Sequence, residues 1–180
     1  QEVRESMPLL LSFLLLLGFS VGLAQEQPVA DTLKSDFQPN KNLEITVPKL
    51  NSSIKVDGAL DDDGWKKAAK VGNFVEVNPG DNCKPQVETE VLVTYDQEKI
   101  YFGFVCHETD MTQLRATMTD RDNIFSDDFI GFLLDTYKDN KQAFEAFVNP
   151  YGIQGDLIWT PNGENESFDM IWESEAKIYP

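Results

Sequence analysis

Hydrophobic and polar residues alternate along most of the chain after residue 42, most clearly in two adjacent stretches, 87–95 and 100–106. A period of two is typical of a β-strand with one buried face. The polar segment 96–99 between the two stretches has the composition of a turn. We therefore predict an antiparallel hairpin. Its buried face carries Val87, Thr89, Val91, Val93 and Tyr95 on the first strand, and Ile100, Phe102, Phe104 and Cys106 on the second.

Other short stretches of similar character are separated by turn-forming residues. They predict further strands at 43–47, 54–56, 129–135, 143–149, 153–159 and 170–178. Three aspartates at 61–63 precede Trp65, which predicts a short helix with acidic residues at its positive end and Trp65 in the core. We expect Trp172 to be a core residue too. No helical pattern is long enough for a parallel crossover, so the predicted fold class is all-β: an antiparallel β-sandwich with one short helix.

The N-terminal residues have a different pattern, because 9–17 form an almost unbroken apolar run. This run is too short to span a bilayer. Small residues, Gly22 and Ala24, stand at the positions that signal peptidase requires for a cut after Ala24. We predict a signal peptide at 1–24, a flexible linker at 25–42 and one domain at 43–180, in an exported protein. An uncleaved membrane anchor is the alternative.

The net charge of the chain limits which classes of molecule it is expected to bind. Its formal net charge is −16, with no basic patch, so a phosphate backbone would be repelled and nucleic acid is not an expected partner. The two cysteines, Cys83 and Cys106, can form a disulfide in an oxidising compartment. Cys106 also lies on a predicted core strand, where a free thiol acts as a small hydrophobe. A single histidine, His107, cannot build a His-based zinc site by itself.

Several motifs together resemble one known family, the family 9 carbohydrate-binding modules. The resemblance is closer still to the related domain at the N-terminus of large exported bacterial proteins of uncertain activity. The motifs are Val56-Asp57-Gly58 with Asp61 to Trp65, the two strands of the hairpin, Arg121-Asp122, Asp127-Asp128, Leu134-Asp135-Thr136 and Val148-Asn149-Pro150. The resemblance implies a jelly-roll-like sandwich that binds a polysaccharide or oligosaccharide. In the resembled modules further strands follow, so we expect a domain truncated near its C-terminus and continuing into a C-terminal domain of the parent chain.

Sugar recognition needs flat aromatic rings that stack on pyranose faces and planar polar groups that bind neighbouring hydroxyls. Trp159, at a strand end before a Thr-Pro-Asn-Gly loop, is the first stacking candidate, and Tyr151 in an Asn-Pro-Tyr-Gly turn is the second. Packing at the rim of the sandwich is the alternative for Trp159. The ligand-binding residues that we predict are Trp159, Arg121, Asp122, Asp128, Asn149 and Tyr151.

The Arg121 assignment, and a possible calcium site, each have a structural alternative. Arg121 beside Asp122 can present donors to a sugar, or it can form a salt bridge that holds its loop against the sandwich. The resemblance also implies calcium, for which Asp57, Asp61 and Asp62 are the candidate ligands, although their spacing is not that of an EF-hand loop. An acidic helix start explains the same aspartates without a metal.

The sequence favours a non-catalytic binding module over other functions. The resemblance implies attachment to a hydrolase that acts on O-glycosyl bonds in carbohydrate catabolism. Carboxylates are plentiful, but no pair stands out as a glycosidase pair, and nucleophile-elbow and phosphate-loop motifs are absent from the sequence. The alternative is a structural cap that docks on a following membrane-associated, β-rich domain. A haem-carrying sandwich with His107 as an axial ligand is a third and weaker hypothesis.

Overall fold

The computed structural model describes residues 37–41 and 44–179, so the predicted signal peptide and most of the predicted linker lie outside it. The described chain forms two antiparallel sheets, as expected for an all-β sandwich. The first sheet has the order β1-β2-β3, and the second has the order β4-β5-β6-β7. The strands are β1 (Ala69–Val71), β2 (Glu88–Tyr95), β3 (Ile100–His107), β4 (Ile130–Leu134), β5 (Ala143–Val148), β6 (Gln154–Thr160) and β7 (Gly163–Asn165).

The hairpin predicted from the alternation is confirmed as β2 and β3, and its register shows why the pattern is so clear. Val91 lies opposite Phe104 and Val93 lies opposite Phe102, so the apolar positions of the two strands share one face. The turn is closed by Asp96, whose Oδ1 accepts hydrogen bonds from the backbone of Glu98 and Lys99 at 2.7 and 2.8 Å. A carboxylate in this role fixes the turn that sets the register.

The two sheets meet through the apolar face of this hairpin. The rings of Phe102 on β3 and Phe132 on β4 stack, with centroids 4.0 Å apart. Cross-strand partners share a face, and Phe132 lies opposite Ala146, which lies opposite Asp156. We call this side of the four-stranded sheet the inner face, and the other side the outer face.

The loop before β4 covers part of the outer face. Ile124 is fully buried, and a Cβ at Gly155 would lie 3.2 Å from its side chain, so this part of β6 has room for the loop because it carries no side chain. Phe125 and Phe129 both make edge-to-face contacts with Phe147 of β5, with centroids 5.5 Å apart. These ring contacts, together with the buried Ile124, hold the loop against the sheet, although Phe125 and Phe129 are still 43% and 44% exposed.

The strand predicted at 170–178 is wrong in detail. The side chains of this segment alternate between partly buried and exposed, as the sequence suggested, but the segment joins no sheet. Its backbone is bonded by side chains instead: Met170 N donates to Asp156 Oδ2, and Gln154 Nε2 donates to the carbonyl of Trp172 at 3.1 Å. Alternation of apolar and polar residues indicates an extended, half-buried segment, but it does not indicate whether another strand or side chains bind its backbone.

The N-terminal part of the domain also differs from expectation. Residues 44–48 and 54–56 form no strand, and the Lys55 N–H donates to the Asp62 carboxylate at 2.9 Å rather than to a neighbouring strand. The predicted helix is a three-residue 3₁₀ turn, Trp65–Lys67. Trp65 is buried, as predicted. Within the described residues, no helix is long and apolar enough to cross a membrane.

Candidate functional site

Trp159 lies on the outer face of the four-stranded sheet, close to its edge. It pairs with Ala143 of β5 on one side and with Glu164 of β7 on the other. Strand β7 was not predicted: Thr160 to Gly163 form a tight hairpin turn, in which Gly163 has a φ of +126° and Thr160 Oγ1 donates to its carbonyl at 2.8 Å. This turn brings Glu164 beside the indole, where the sequence pattern suggested only a loop.

An open concavity of about 280 Å³ lies at Trp159. Apolar and polar side chains both contribute to it, and Trp159 itself is only partly buried. The lining residues are Leu133, Asp135, Asn140, Gln142, Ala143 and Trp159. A partly exposed indole beside amide and carboxylate groups has the elements that bind a small polar ligand with one flat apolar face.

The turn between β4 and β5 forms one wall of this concavity. Asp135 organises the turn, because its carboxylate accepts hydrogen bonds from Tyr137 N at 3.1 Å and from Asn140 N at 2.8 Å. Lys138 and Asn140 have φ values of 53° and 56°, in the left-handed region that non-glycine residues adopt mainly in tight turns. The backbone N–H of Asn140 is the main cause that lowers the pKa of Asp135, so this wall carries an ionised carboxylate at neutral pH.

Glu145 lies on the same face, one row further along the sheet. It is buried, and it stands opposite Leu133 on β4 and Leu157 on β6. Its Oε2 atom has no hydrogen-bond partner within the described part of the chain. Burial raises the pKa of Glu145, and the neighbouring Glu164 carboxylate raises it further.

Arg121 belongs to a different place, the inner side of β6. Its guanidinium donates to Gln154 Oε1, to Asp156 Oδ1 and, at 3.0 Å, to the Met170 carbonyl. The Asp156 side chain is 0% exposed, so this is a buried ion pair that fastens the loop and the segment after β7 to one strand. Successive residues of a strand point to opposite faces, so Asp156 and Trp159 lie on opposite faces of β6. The structure therefore does not bring Arg121 and Trp159 into one site.

Asp122 and Asp128 both hold their own loop together. Asp122 has a φ of 66°, donates its N–H to the Gln154 carbonyl, and accepts the Asp156 N–H at its carboxylate Oδ1 at 3.1 Å, so it binds the open edge of β6 through one backbone and one side-chain bond. Asp128 forms a two-oxygen pair with Arg115, accepting its backbone N–H at 2.9 Å and its guanidinium at 3.0 Å. Their binding role stays a prediction, and neither lines the Trp159 concavity.

Asn149 is buried and fully engaged, whereas Tyr151 is exposed. The Asn149 amide donates to the Thr117 carbonyl and to Asp127 Oδ2, and its Oδ1 accepts the N–H groups of Tyr151 and Ile153, all within 3.1 Å. These four bonds explain the Val-Asn-Pro motif as a turn-closing device. The Tyr151 ring is 49% exposed and remains available to a ligand.

The aspartates proposed for calcium do not converge. Asp57 accepts hydrogen bonds from Lys55 Nζ at 2.9 Å and from Ala59 N at 3.1 Å, and Asp62 accepts Lys55 N at 2.9 Å. Within residues 37–41 and 44–179, no three or more His, Cys, Asp or Glu side chains are grouped to hold a metal ion. Calcium takes six to eight oxygens, and a site here would need backbone carbonyls or water beside these carboxylates. Calcium therefore rests on the resemblance alone.

Cys83 and Cys106 are both free thiols in the structure, so it contains no disulfide between them. Cys106 Sγ accepts a hydrogen bond from Thr89 Oγ1 across the hairpin at 3.8 Å, and Cys83 pairs through its backbone with Glu76. The two cysteines thus have separate local partners.

Sequence reasoning missed the groups that surround Trp159 and Arg121. Glu145 and Asp156 occupy the middle of apolar strands, and a charged residue at such a position is the signal that could have identified them, because buried carboxylates need a partner or a function. Glu164 had no such signal, since its strand has a Gly-Glu-Asn sequence of low β-propensity. No protein-family model, curated protein or solved structure matches this chain.

Proposed function

We propose that this chain is a carbohydrate-binding module and that its ligand binds in the Trp159 concavity. The observation that carries the proposal is the partly exposed indole within a concavity lined by Asp135, Asn140 and Gln142. An indole face can cover the apolar face of a pyranose ring. The two amides can then donate to and accept from neighbouring hydroxyls, which gives the orientation.

The size of the concavity indicates how much of a glycan is bound there. About 280 Å³ is close to the lower limit of small-molecule sites, roughly 300–1,000 Å³. We therefore propose that one sugar unit enters it, and that flanking units of a polysaccharide or oligosaccharide extend across the outer face.

The resemblance supports the wider role. On that basis the module is exported and holds a glycan for an attached hydrolase that acts on O-glycosyl bonds in carbohydrate catabolism. The module itself is proposed to be non-catalytic, since Glu145, whose carboxyl group has a raised pKa, is buried and is not among the residues that line the concavity.

The test is a glycan-array screen of the chain from residue 25, followed by titration calorimetry with the best ligand. Trp159→Ala should weaken binding at least about tenfold, because stacking on an aromatic ring and its buried area are both lost. Phe74→Ala is the matched control. Phe74 is a partly exposed aromatic residue at a separate, smaller concavity that shares no lining residue with the Trp159 concavity. Tyr151→Ala tests the second stacking candidate. Unchanged binding in Trp159→Ala would overturn the site.

A structural cap is the second candidate, and one observation favours it. Large apolar side chains are exposed on and next to the outer face, among them Leu133 at 58% and Tyr137 at 75%. Such a surface also suits a protein interface. A folded domain that binds no glycan, but associates with the domain that follows it in the parent chain and loses this association in Leu133→Asp, would favour the cap.

A further inference from the structure

Three carboxyl groups lie close to Trp159 in the sheet. Asp135 lies in the wall of the concavity, Glu164 pairs with Trp159 across the strands, and Glu145 lies in the adjacent row of the same face. The basic residues of the neighbouring turn, Lys138 and Lys141, do not line the concavity, and Lys141 Nζ lies 3.8 Å from Asp139 Oδ2. Among the residues that the structure describes, the lining of the concavity therefore contains a carboxylate and no cationic side chain.

Glu145 gives an independent reason to expect a positive group here. It is buried with an oxygen that has no hydrogen-bond partner in the described chain, and its neighbours Leu133 and Leu157 offer none because they are hydrocarbon. A buried carboxyl group without a partner is costly for the folded protein. Leu133 and Ala143, the residues beside Glu145 across and along the sheet, both line the concavity, so Glu145 is a neighbour of two lining residues.

Trp159 completes the arrangement. The face of an indole ring attracts cations more strongly than any other aromatic side chain does. Because Glu164 is the direct cross-strand partner of Trp159, a cation on the ring also lies within reach of an exposed carboxylate. Asn140 and Gln142 remain free to bind hydroxyl groups, so the site suits a ligand that has both hydroxyls and a positive charge.

We propose that the Trp159 concavity selects a positively charged sugar unit, an amino sugar with a free ammonium group, over neutral sugars. The inference rests on the proposed carbohydrate-binding function and specifies its ligand class. The pyranose ring stacks on Trp159, the ammonium group faces Glu164 and Asp135, and the amides of Asn140 and Gln142 bind the hydroxyls.

The experiment compares ligands that differ only in charge. A glucosamine oligosaccharide and its N-acetylated counterpart of equal length and linkage are titrated into the chain from residue 25, at a pH below the pKa of the sugar amine. A glucose oligosaccharide and tetramethylammonium chloride are titrated in parallel. A cation–π contact and an exposed ion pair together predict about tenfold tighter binding of the amine form.

Variants identify which groups are responsible. Glu164→Gln keeps the shape of an exposed side chain and should weaken binding of the amine form about threefold to fivefold without changing binding of the N-acetylated form. Glu98→Gln, an exposed carboxylate in the β2–β3 turn, is the matched control and should change neither. Trp159→Phe keeps a stacking ring and should lose part of the preference, whereas Trp159→Ala should weaken binding of both forms at least about tenfold.

Each outcome decides between the two proposals. Preference for the amine form that depends on Trp159 and Glu164 supports both. Equal binding of charged and neutral oligosaccharides, lost in Trp159→Ala, overturns the amino-sugar inference and leaves the carbohydrate-binding function in place. Binding of tetramethylammonium without any oligosaccharide overturns the carbohydrate function. Binding of the amine form that survives in Trp159→Ala reflects non-specific attraction to an acidic protein and overturns the inference.

Discussion

Replacing Arg121 with alanine should destabilise the fold far more than replacing any exposed arginine. The Arg121 side chain is 34% exposed, but that of its partner Asp156 is 0% exposed. After Arg121→Ala, Asp156 keeps the Met170 N–H and a long contact of 3.5 Å to Trp172 Nε1, and its negative charge stays buried without a cation. Gln154 and the Met170 carbonyl lose a donor as well.

The magnitude follows from this asymmetry. Removing one partner of a buried ion pair costs about 3–5 kcal/mol. Because one third of Arg121 is in contact with solvent, we expect the lower end, about 3 kcal/mol, or roughly 10 °C in the midpoint of thermal unfolding for a domain of this size. Asp156→Asn should cost less, about 1–2 kcal/mol, because the unpaired Arg121 can reach water.

Urea unfolding followed by tryptophan fluorescence measures the change as a shift of the midpoint at an unchanged slope. Arg115→Ala is the matched control: Arg115 forms a similar two-oxygen pair with Asp128, but its side chain is 73% exposed, so at most about 1 kcal/mol is expected. Equal costs for Arg121→Ala and Arg115→Ala would refute the reasoning, since burial would then not matter. Glycan binding that survives in Arg121→Ala would assign Arg121 a structural role.

Three further substitutions test other parts of the structure. Asn149→Ala should cost about 3 kcal/mol because a buried side chain and its four hydrogen bonds are lost. Asn149→Asp should be less stable still, since it places a carboxylate against Asp127. Urea midpoints measure both changes, and a loss below about 1 kcal/mol would contradict the assignment. Gly152→Ala should lower the free energy of unfolding by about 1–2 kcal/mol, because the φ of Gly152 is +79° and the new Cβ would lie 3.3 Å from Ala176 N. Gly72→Ala is the control and should be nearly neutral, because its Cβ would have its nearest neighbour at 3.8 Å. Thermal unfolding measures both variants. Glu145→Gln should change how the free energy of unfolding depends on pH. The pKa of Glu145 is raised in the folded state, so its contribution to stability is fully present below the unfolded pKa of 4.5. That contribution is lost as the pH rises through the folded pKa, and the Gln variant lacks this loss. Parallel pH profiles of the free energy of unfolding for Glu145→Gln and the native chain would disprove that shift.

Much of the secondary structure could be predicted from local patterns. The alternation at 87–95 and 100–106 predicted the β2–β3 hairpin and the faces of its strands, and the cross-strand pairs Val91–Phe104 and Val93–Phe102 confirm both. The strands β4, β5 and β6 were also found within one or two residues of their observed ends. These predictions succeed because a half-buried strand places its apolar residues on one face whatever lies next to it.

The strands β1 and β7 could not be predicted in this way. Each has three residues, too few for a period, and each forms because a longer neighbour offers free backbone groups. The opposite error occurred at 170–178, where the alternation is real but the backbone partners are the side chains of Arg121, Gln154 and Asp156. A pattern along the chain does not contain the identity of a partner that lies far away in sequence.

The same limit applies to the candidate site. The sequence by itself determined that Trp159 lies near the end of a strand, that the chain is acidic and that aromatic residues occur at strand ends and turns. Only the tertiary structure decided that Trp159 lies on the outer face between Ala143 and Glu164, while Arg121 is joined to Asp156 on the inner face. The physical reason is that the direction of a side chain depends on its own strand, whereas the groups that it meets depend on how the strands and loops pack together.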